Sequence, residues 1–245
     1  MNDDQQTTYM HFDEVDGARR AAEQLIPIIL TLVRPTKSVV DLGGGTGAWL
    51  REFQNAGVGR IKLFDHPSVE NHLLIPPQYY SSVNLATEVP PVERFDLAVC
   101  VECAEHLPAS RAKSIVEWLT RSADQVVFSA AVIGQGGKHH VNEQFGRYWQ
   151  QLFRDFGFVR RDIIRRRILE IDSIPWWYRQ NLFLFVKEGV TLPSNEPDFI
   201  PDEFSLIHRN VENAYARPRV KSVPGYVARA ITHYITKRRG GPKSL

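Results

Sequence analysis

Between residues 37 and 188 the spacing of hydrophobic positions switches repeatedly between two periods. "KSVVDL" (37–42), "FDLAVCVE" (95–102) and "QVVFSAAV" (125–132) are short apolar runs of the kind a strand shows when both of its faces are covered. "GAWLREFQNAG" (47–57) and "ASRAKSIVEWLTRSA" (109–123) carry apolar residues at helical spacing, the first stopped by Gly57. "RIKLFD" (60–65) is a further strand, and a short one is expected around 81–84, ahead of the proline-rich "EVPPVERF". After a glycine-rich loop, "VNEQFGRYWQQLFRDFG" (141–157) has the pattern of a helix, and "FVRRDIIRRRIL" and "NLFLFVKE" that of two more strands. In front of this series Val15, Ala18, Ala22, Leu25, Ile26, Ile29, Leu32 and Val33 recur at helical spacing, with Pro27 expected to kink or divide the helix. Alternating strands and helices predict an α/β fold: a doubly wound, Rossmann-like, mostly parallel sheet of seven strands with helices on both faces. The expected division is an N-terminal tail and helical cap (1–36), a core (37–188) and a C-terminal extension (189–245).

Composition adds little to this picture until it is resolved along the chain. With 245 residues, 43% of them hydrophobic, the protein has enough apolar surface for one substantial core. No run of about 18 apolar residues suits a membrane span, and the first ten residues lack the basic and apolar regions of a signal peptide, so a soluble, cytoplasmic protein is expected. The net charge of +2 conceals a basic tail, because residues 209–245 hold nine Lys or Arg against one acid and leave −6 for the remainder. Within that tail "VPGYVARAITHYITKRRGG" reads as an amphipathic helix with a basic side, able to pack on the core or to meet a membrane or an assembly partner. Cys100 and Cys103 are too few ligands for a structural zinc site, and on one strand their three-residue offset would point them to opposite faces, so both read as buried inert thiols.

The chemistry starts at "VVDLGGGTGAWL", where a strand ends in an acid and runs into a glycine-rich turn. At that place in a doubly wound sheet such a turn is a ligand cradle, since glycine lets a ligand approach the main chain. Gly43, Gly45 and Ala48 satisfy the dinucleotide fingerprint, which leaves a nicotinamide oxidoreductase open. Asp65 closes the next strand, where a carboxylate can accept from a ribose diol in either class.

The D-x-G-x-G-x-G formed by Asp41, Gly43, Gly45 and Gly47 resembles motif I of class I S-adenosylmethionine-dependent methyltransferases. "CVECAEHLP" (100–108) resembles the fourth-strand motif of bacterial small-molecule methyltransferases. "FSAAVIGQGGKHHVNEQFGRYW" resembles the fifth strand, loop and helix of methyltransferases from glycan and natural-product pathways, and the likeness spans roughly residues 9–188. It implies S-adenosylmethionine as cofactor, with S-adenosylhomocysteine as product, held by Asp41, Gly43, Gly44, Gly45, Thr46, Gly47, Asp65, Asn84, Leu85 and Glu102. Two departures are visible. The family's "GCG" or "GSG" is Gly43-Gly44-Gly45 here, and Asn84 stands where an acid often follows the third strand.

Methyl transfer depends on positioning and exclusion of water, and the acceptor must also lose its proton. Histidine suits that task near neutral pH. His106 after the fourth strand and His140 after the fifth are the candidate bases, with Glu105, His139, Asn142 and Glu143 as candidate substrate-binding residues and Asn142 also able to cap the helix that follows. A metal could draw on His139, His140 and Glu143, but no larger ligand cluster is visible and the chemistry does not demand one, so no metal is expected. The arginines of "RRDIIRRR" fit the exposed face of a strand, and Trp176 with Trp177 fits packing or a pocket wall. The resemblance implies as acceptor an oxygen or similar atom of a small molecule or glycan intermediate; an RNA methyltransferase and a catalytically inactive cofactor-binding domain are the alternatives.

Overall fold

Val39 and Val40 point to opposite sides of a strand, and each meets a separate apolar layer. In the computed structural model, which describes residues 12–199 and their side chains from Gly17, seven strands form one sheet: β1 (Ser38–Leu42), β2 (Arg60–Asp65), β3 (Tyr80–Ser82), β4 (Leu97–Val101), β5 (Gln125–Ser129), β6 (Phe158–Arg161) and β7 (Phe183–Lys187). The order is β3-β2-β1-β4-β5-β7-β6. All pairings are parallel except those of β7 with β5 and β6. The chain leaves β1 first toward β2 and β3 and then crosses back to β4, so the switch point of the sheet lies between β1 and β4.

The helices are α1 (Phe12–Leu32), α2 (Ala48–Asn55), α3 (Ala112–Ser122), α4 (Gly146–Asp155), α5 (Ile163–Ile168) and α6 (Trp176–Asn181). One layer packs Leu25, Ile26 and Ile29 of α1, Leu50 and Phe53 of α2 and Ile163, Ile164 and Ile168 of α5 onto Val39, Leu97, Val99 and Val127. The opposite layer packs Ile115, Trp118 and Leu119 of α3 and Trp149 and Phe153 of α4 onto Val40, Ala98, Cys100 and Phe128. Each such side chain contributes about 1.5–3 kcal/mol on leaving water, which is why period-two strands and amphipathic helices find this arrangement together. The helix α1 runs through Pro27 without division, its inner face lying in the same layer as the strands. All described residues belong to one compact unit, and among them no helix is long and apolar enough to cross a membrane. The N-terminal tail and the basic C-terminal segment lie outside the described residues.

Three sequence expectations give way to the structure. The segment 158–169 is not one strand, since β6 ends at Arg161 and α5 follows. Its arginines are not a solvent-facing row: Arg165 is 1% exposed, donates from Nε to Asp162 Oδ1 (2.7 Å) and from Nη1 to the Gln180 carbonyl (2.7 Å), and lies over the Phe183 ring. That three-residue spacing to Asp162 favours a helical turn. Second, the helix foreseen from residue 141 begins only at Gly146, because the Val141 and Asn142 amides donate to the Glu105 carbonyl (2.9 and 3.0 Å) and the Gln144 amide to Ala131 (3.2 Å). Asn142 is accordingly a buried side chain and not a helix cap. Third, Cys100 and Cys103 do not face apart. The strand ends at Val101, the chain turns, and the two buried free thiols lie in the same apolar layer.

Candidate active site

The carboxyl ends of β1, β2, β4 and β5 carry nearly every residue singled out from the sequence. After β1 the Gly43 amide extends the ladder to the Phe64 carbonyl (2.8 Å) and the chain then folds back tightly. A Cβ on Gly43 would stand 2.1 Å from Cys103 Sγ, and one on Gly44 would stand 2.2 Å from Asp41 Oδ2. These two glycines let the loop lie on its own sheet. Gly45, at φ 59°, differs: a Cβ there would meet nothing within 4 Å, so the main chain presents an open surface. Buried Thr46 fixes the loop through its carbonyl, which accepts from the Leu74 amide (2.8 Å), and Gly47 leads into α2.

Two carboxylates face this loop. Asp65 accepts from the Gly45 amide on Oδ2 (2.6 Å) and from the His66 amide on Oδ1. Burial pushes its pKa up to about 6 against those two bonds. Asp41 is 2% exposed, its Oδ1 has no partner among the described residues, and burial followed by repulsion from Asp65 holds its pKa well above the usual carboxylate range. On the far side Leu85 is buried against Gly43. Asn84 is exposed and its Oδ1 accepts from the Ala86 amide (3.1 Å), closing its own turn.

The ends of β4 and β5 form the other half. Glu102 is held at a left-handed φ of 51°, a strained conformation for a residue with a side chain, by its amide bond to Ser129 Oγ (3.0 Å). Its Oε1 accepts from Ser129 Oγ (2.7 Å) and its Oε2 from Gln135 Nε2 (3.4 Å), while Gln135 is held in turn by Asn181 (2.8 Å). Burial raises the Glu102 pKa more than these donors lower it. Glu105 is wholly buried; Oε1 accepts from the Ala131 amide (3.2 Å), Oε2 has no partner among the described residues, and burial and then the charge of Glu102 raise its pKa strongly. The rings of His106 and His140 meet edge to face with centroids 4.9 Å apart. Burial, then the neighbouring His140, depresses the His106 pKa to about 4. His140 Nδ1 lies 3.3 Å from Glu143 Oε1, and Glu143 is anchored by the Gly134 and Gly136 amides (2.8 and 2.9 Å). Burial pushes Glu143 up, but those donors and His140 outweigh it and leave its pKa low.

The structure therefore gathers Glu102, Glu105, His106, His140 and Glu143 beside the glycine loop, with Asn142 bridging to the Ala104 carbonyl (3.4 Å). His139 is exposed and left-handed (φ 59°). The trio of donors that comes together is Glu105, His106 and His140, and not the His139, His140 and Glu143 suggested by sequence proximity. Sequence reasoning missed Ser129, Gln135 and Asn181, which orient Glu102. It also missed Tyr178, buried against Trp49 with ring centroids 5.8 Å apart and with its pKa raised by burial and then by the charge of Glu102. Only "WWY" offered a signal for the last of these.

Comparison with known proteins bears on the fold and the family. A chain from the complex between the Haloferax volcanii Trm112 methyltransferase activator and a methyltransferase superposes with a TM-score of 0.54 over 71% of this chain and 94% of its own, at 13% identity, a likeness of fold alone. Human N-acetylserotonin methyltransferase in complex with SAM (TM-score 0.46, 16% identity, 71% and 52% covered) and a Bacillus halodurans methyltransferase (0.47, 14%, 67% and 96%) superpose more loosely. No curated protein matches at a significant level. A family model described as a methyltransferase domain matches residues 17–161, more than half of the sequence, and the chain belongs to that family, with the fold and cofactor of the class I S-adenosylmethionine-dependent methyltransferases.

Proposed function

We propose that the protein methylates an oxygen or similar atom on a small molecule or glycan intermediate, with the cofactor over the glycine loop and the acceptor against His106 and His140. The observation that carries this reading is the meeting, at one edge of the sheet, of an open glycine surface with a histidine and carboxylate cluster. The residues present fit the cofactor. Asp65 uses one lone pair on each oxygen for Gly45 and His66, leaving one on each for a ribose diol. The unpartnered Asp41 Oδ1 and the exposed main chain of Gly45 suit its charged and polar groups. Leu85 would flank the adenine. Asn84 would serve it through the main chain, since its side chain is already engaged.

When bound, S-adenosylmethionine supplies a methyl group on a positively charged sulfur. The chain has then to hold the acceptor in line, exclude water and receive a proton. His140 is better placed for the last step than His106. Glu143 binds its Nδ1 and leaves Nε2 to accept, whereas His106 is too weakly basic at a pKa of about 4. The arginine-rich segment supports a small acceptor over RNA, because Arg161 pairs with Asp198, Arg165 with Asp162 and Arg167 with Glu196 instead of lying open to phosphates. Transfer of labelled methyl groups into cell-extract fractions tests the proposal. Labelling of a small, protease- and nuclease-resistant product is expected; tight NAD binding in place of S-adenosylmethionine binding would overturn it.

A further inference from the structure

Glu105, His106 and His140 form a constellation that methyl transfer by itself does not require. Glu105 is 0% exposed, yet Oε2 has no partner among the described residues, and His106 Nδ1 is likewise buried without one among them. The His106 ring does bond to the His139 backbone, so that bond uses Nε2–H and leaves the lone pair on Nδ1. With His140 Nδ1 turned to Glu143, its Nε2 is the remaining donor. One donor atom from each of the three residues lies within 4.8 Å of the other two. Buried polar atoms seldom stay unpartnered, because each loses its hydration with no return. Two such atoms beside a third donor, ringed by the carboxylates of Glu102 and Glu143, are what a cation would satisfy.

We infer that Glu105, His106 and His140 bind one divalent transition-metal ion, of the zinc and iron class that imidazole favours, at the acceptor end of the site. Two imidazoles and one carboxylate on one side of an ion leave positions open for a ligand. The Glu143 contact to His140 is the outer carboxylate that commonly orients a metal-binding histidine. A tetrahedral ion with bonds of about 2.0–2.1 Å sets its donors about 3.3 Å apart, so side-chain rotation has to draw them in from a spread of up to 4.8 Å. The use of the ion rests on the methyl-transfer reading. Ligation occupies the His140 lone pair, so in the metal-loaded protein the ion takes over the task that His140 performs in the metal-free one: it acidifies the acceptor hydroxyl, whose proton is lost to solvent before the transfer. The oxygen then forms its bond to the methyl carbon as the carbon–sulfur electron pair returns to sulfur.

The test uses the full chain without a histidine tag, stripped with a chelator and dialysed. Calorimetric titration should give one equivalent of Zn²⁺ bound and much weaker Mg²⁺ binding. Glu105→Gln, which keeps the shape and removes the charge, and His140→Ala should each weaken Zn²⁺ tenfold or more with unchanged circular dichroism, and His139→Ala should not. Imidazole NMR signals of the parent give a readout that needs no variant: Zn²⁺ should shift those of His106 and His140. Absence of saturable Zn²⁺ binding, equal affinity in the folded Glu105→Gln and His140→Ala proteins, or shifts confined to other histidines would overturn the site. S-adenosylmethionine titrated into the stripped protein separates the two readings. Cofactor binding without Zn²⁺ binding rejects the metal alone, and Zn²⁺ binding without cofactor binding rejects the methyl-transfer reading alone.

Discussion

Gly45 and Gly57 make a matched pair for testing where the cofactor lies. Both have left-handed backbones, φ 59° and 94°, and at both a Cβ would meet nothing within 4 Å. Alanine at either position therefore introduces the same kind of strain, about 1–2 kcal/mol for a left-handed non-glycine residue, and no clash with the protein. In a chain of this size that loss should lower Tm by about 2–8 °C in each variant. Their surroundings differ. Gly57 follows α2, its amide bonded to the Gln54 carbonyl, while Gly45 donates to Asp65 Oδ2 over the open floor of the candidate site. Gly45→Ala should accordingly weaken S-adenosylmethionine at least tenfold, about 1.4 kcal/mol, and Gly57→Ala should leave it within twofold. Thermal unfolding and calorimetry on the same preparations measure both quantities. The reasoning fails if the folded Gly45→Ala protein binds the cofactor as the parent does, or if the two variants lose affinity equally.

Asp65, with a pKa near 6 against a usual 3.8, gives opposite pH trends for binding and for stability. Between about pH 4 and 6 the folded chain holds a proton that the unfolded chain has released, so this group's contribution to unliganded stability falls as pH rises. Cofactor affinity should rise over the same window as the accepting carboxylate forms, and equal calorimetric affinity at pH 5 and 7.5 would refute the diol assignment. Asp162→Ala strands the buried Arg165 guanidinium and should cost about 3–5 kcal/mol in denaturant unfolding. Adding Arg165→Met should recover part of that loss, and a single-variant cost below about 1 kcal/mol would contradict the buried pair. Gly137→Ala would place a Cβ 2.4 Å from His140 Nε2, so the ring has to move. Methyl transfer should fall about 10²–10⁴-fold while cofactor affinity holds, and unchanged turnover on an identified acceptor would remove His140 from the reaction.

The features that the sequence disclosed are those that act through one segment at a time. "RIKLFD" is a strand over the same residues in the structure, because an apolar run leaving a helix stop depends on little else. The loop from Gly43 to Gly47 was legible because its acid and glycines are contiguous, a Cβ on Gly44 meeting Asp41 three residues before it, although Gly43 also lies against Cys103 and Gly47 against Ile75. What stayed hidden depends on partners distant in sequence. Arg165 looked like one of a row of exposed arginines until the Gln180 carbonyl and the Phe183 ring closed around it. The start of α4 shifted because Glu105, 36 and 37 residues earlier, takes the amides of Val141 and Asn142. The same two bonds carry the main functional consequence. By tying the loop after β5 to the residue that precedes His106, they bring His140 beside His106, and they explain why neighbours in sequence, His139 and His140, point to different surroundings. A site built by such a crossing cannot be read from spacing, since the motif that contains Glu105 does not show that its main-chain carbonyl takes the amides of a loop 36 and 37 residues later.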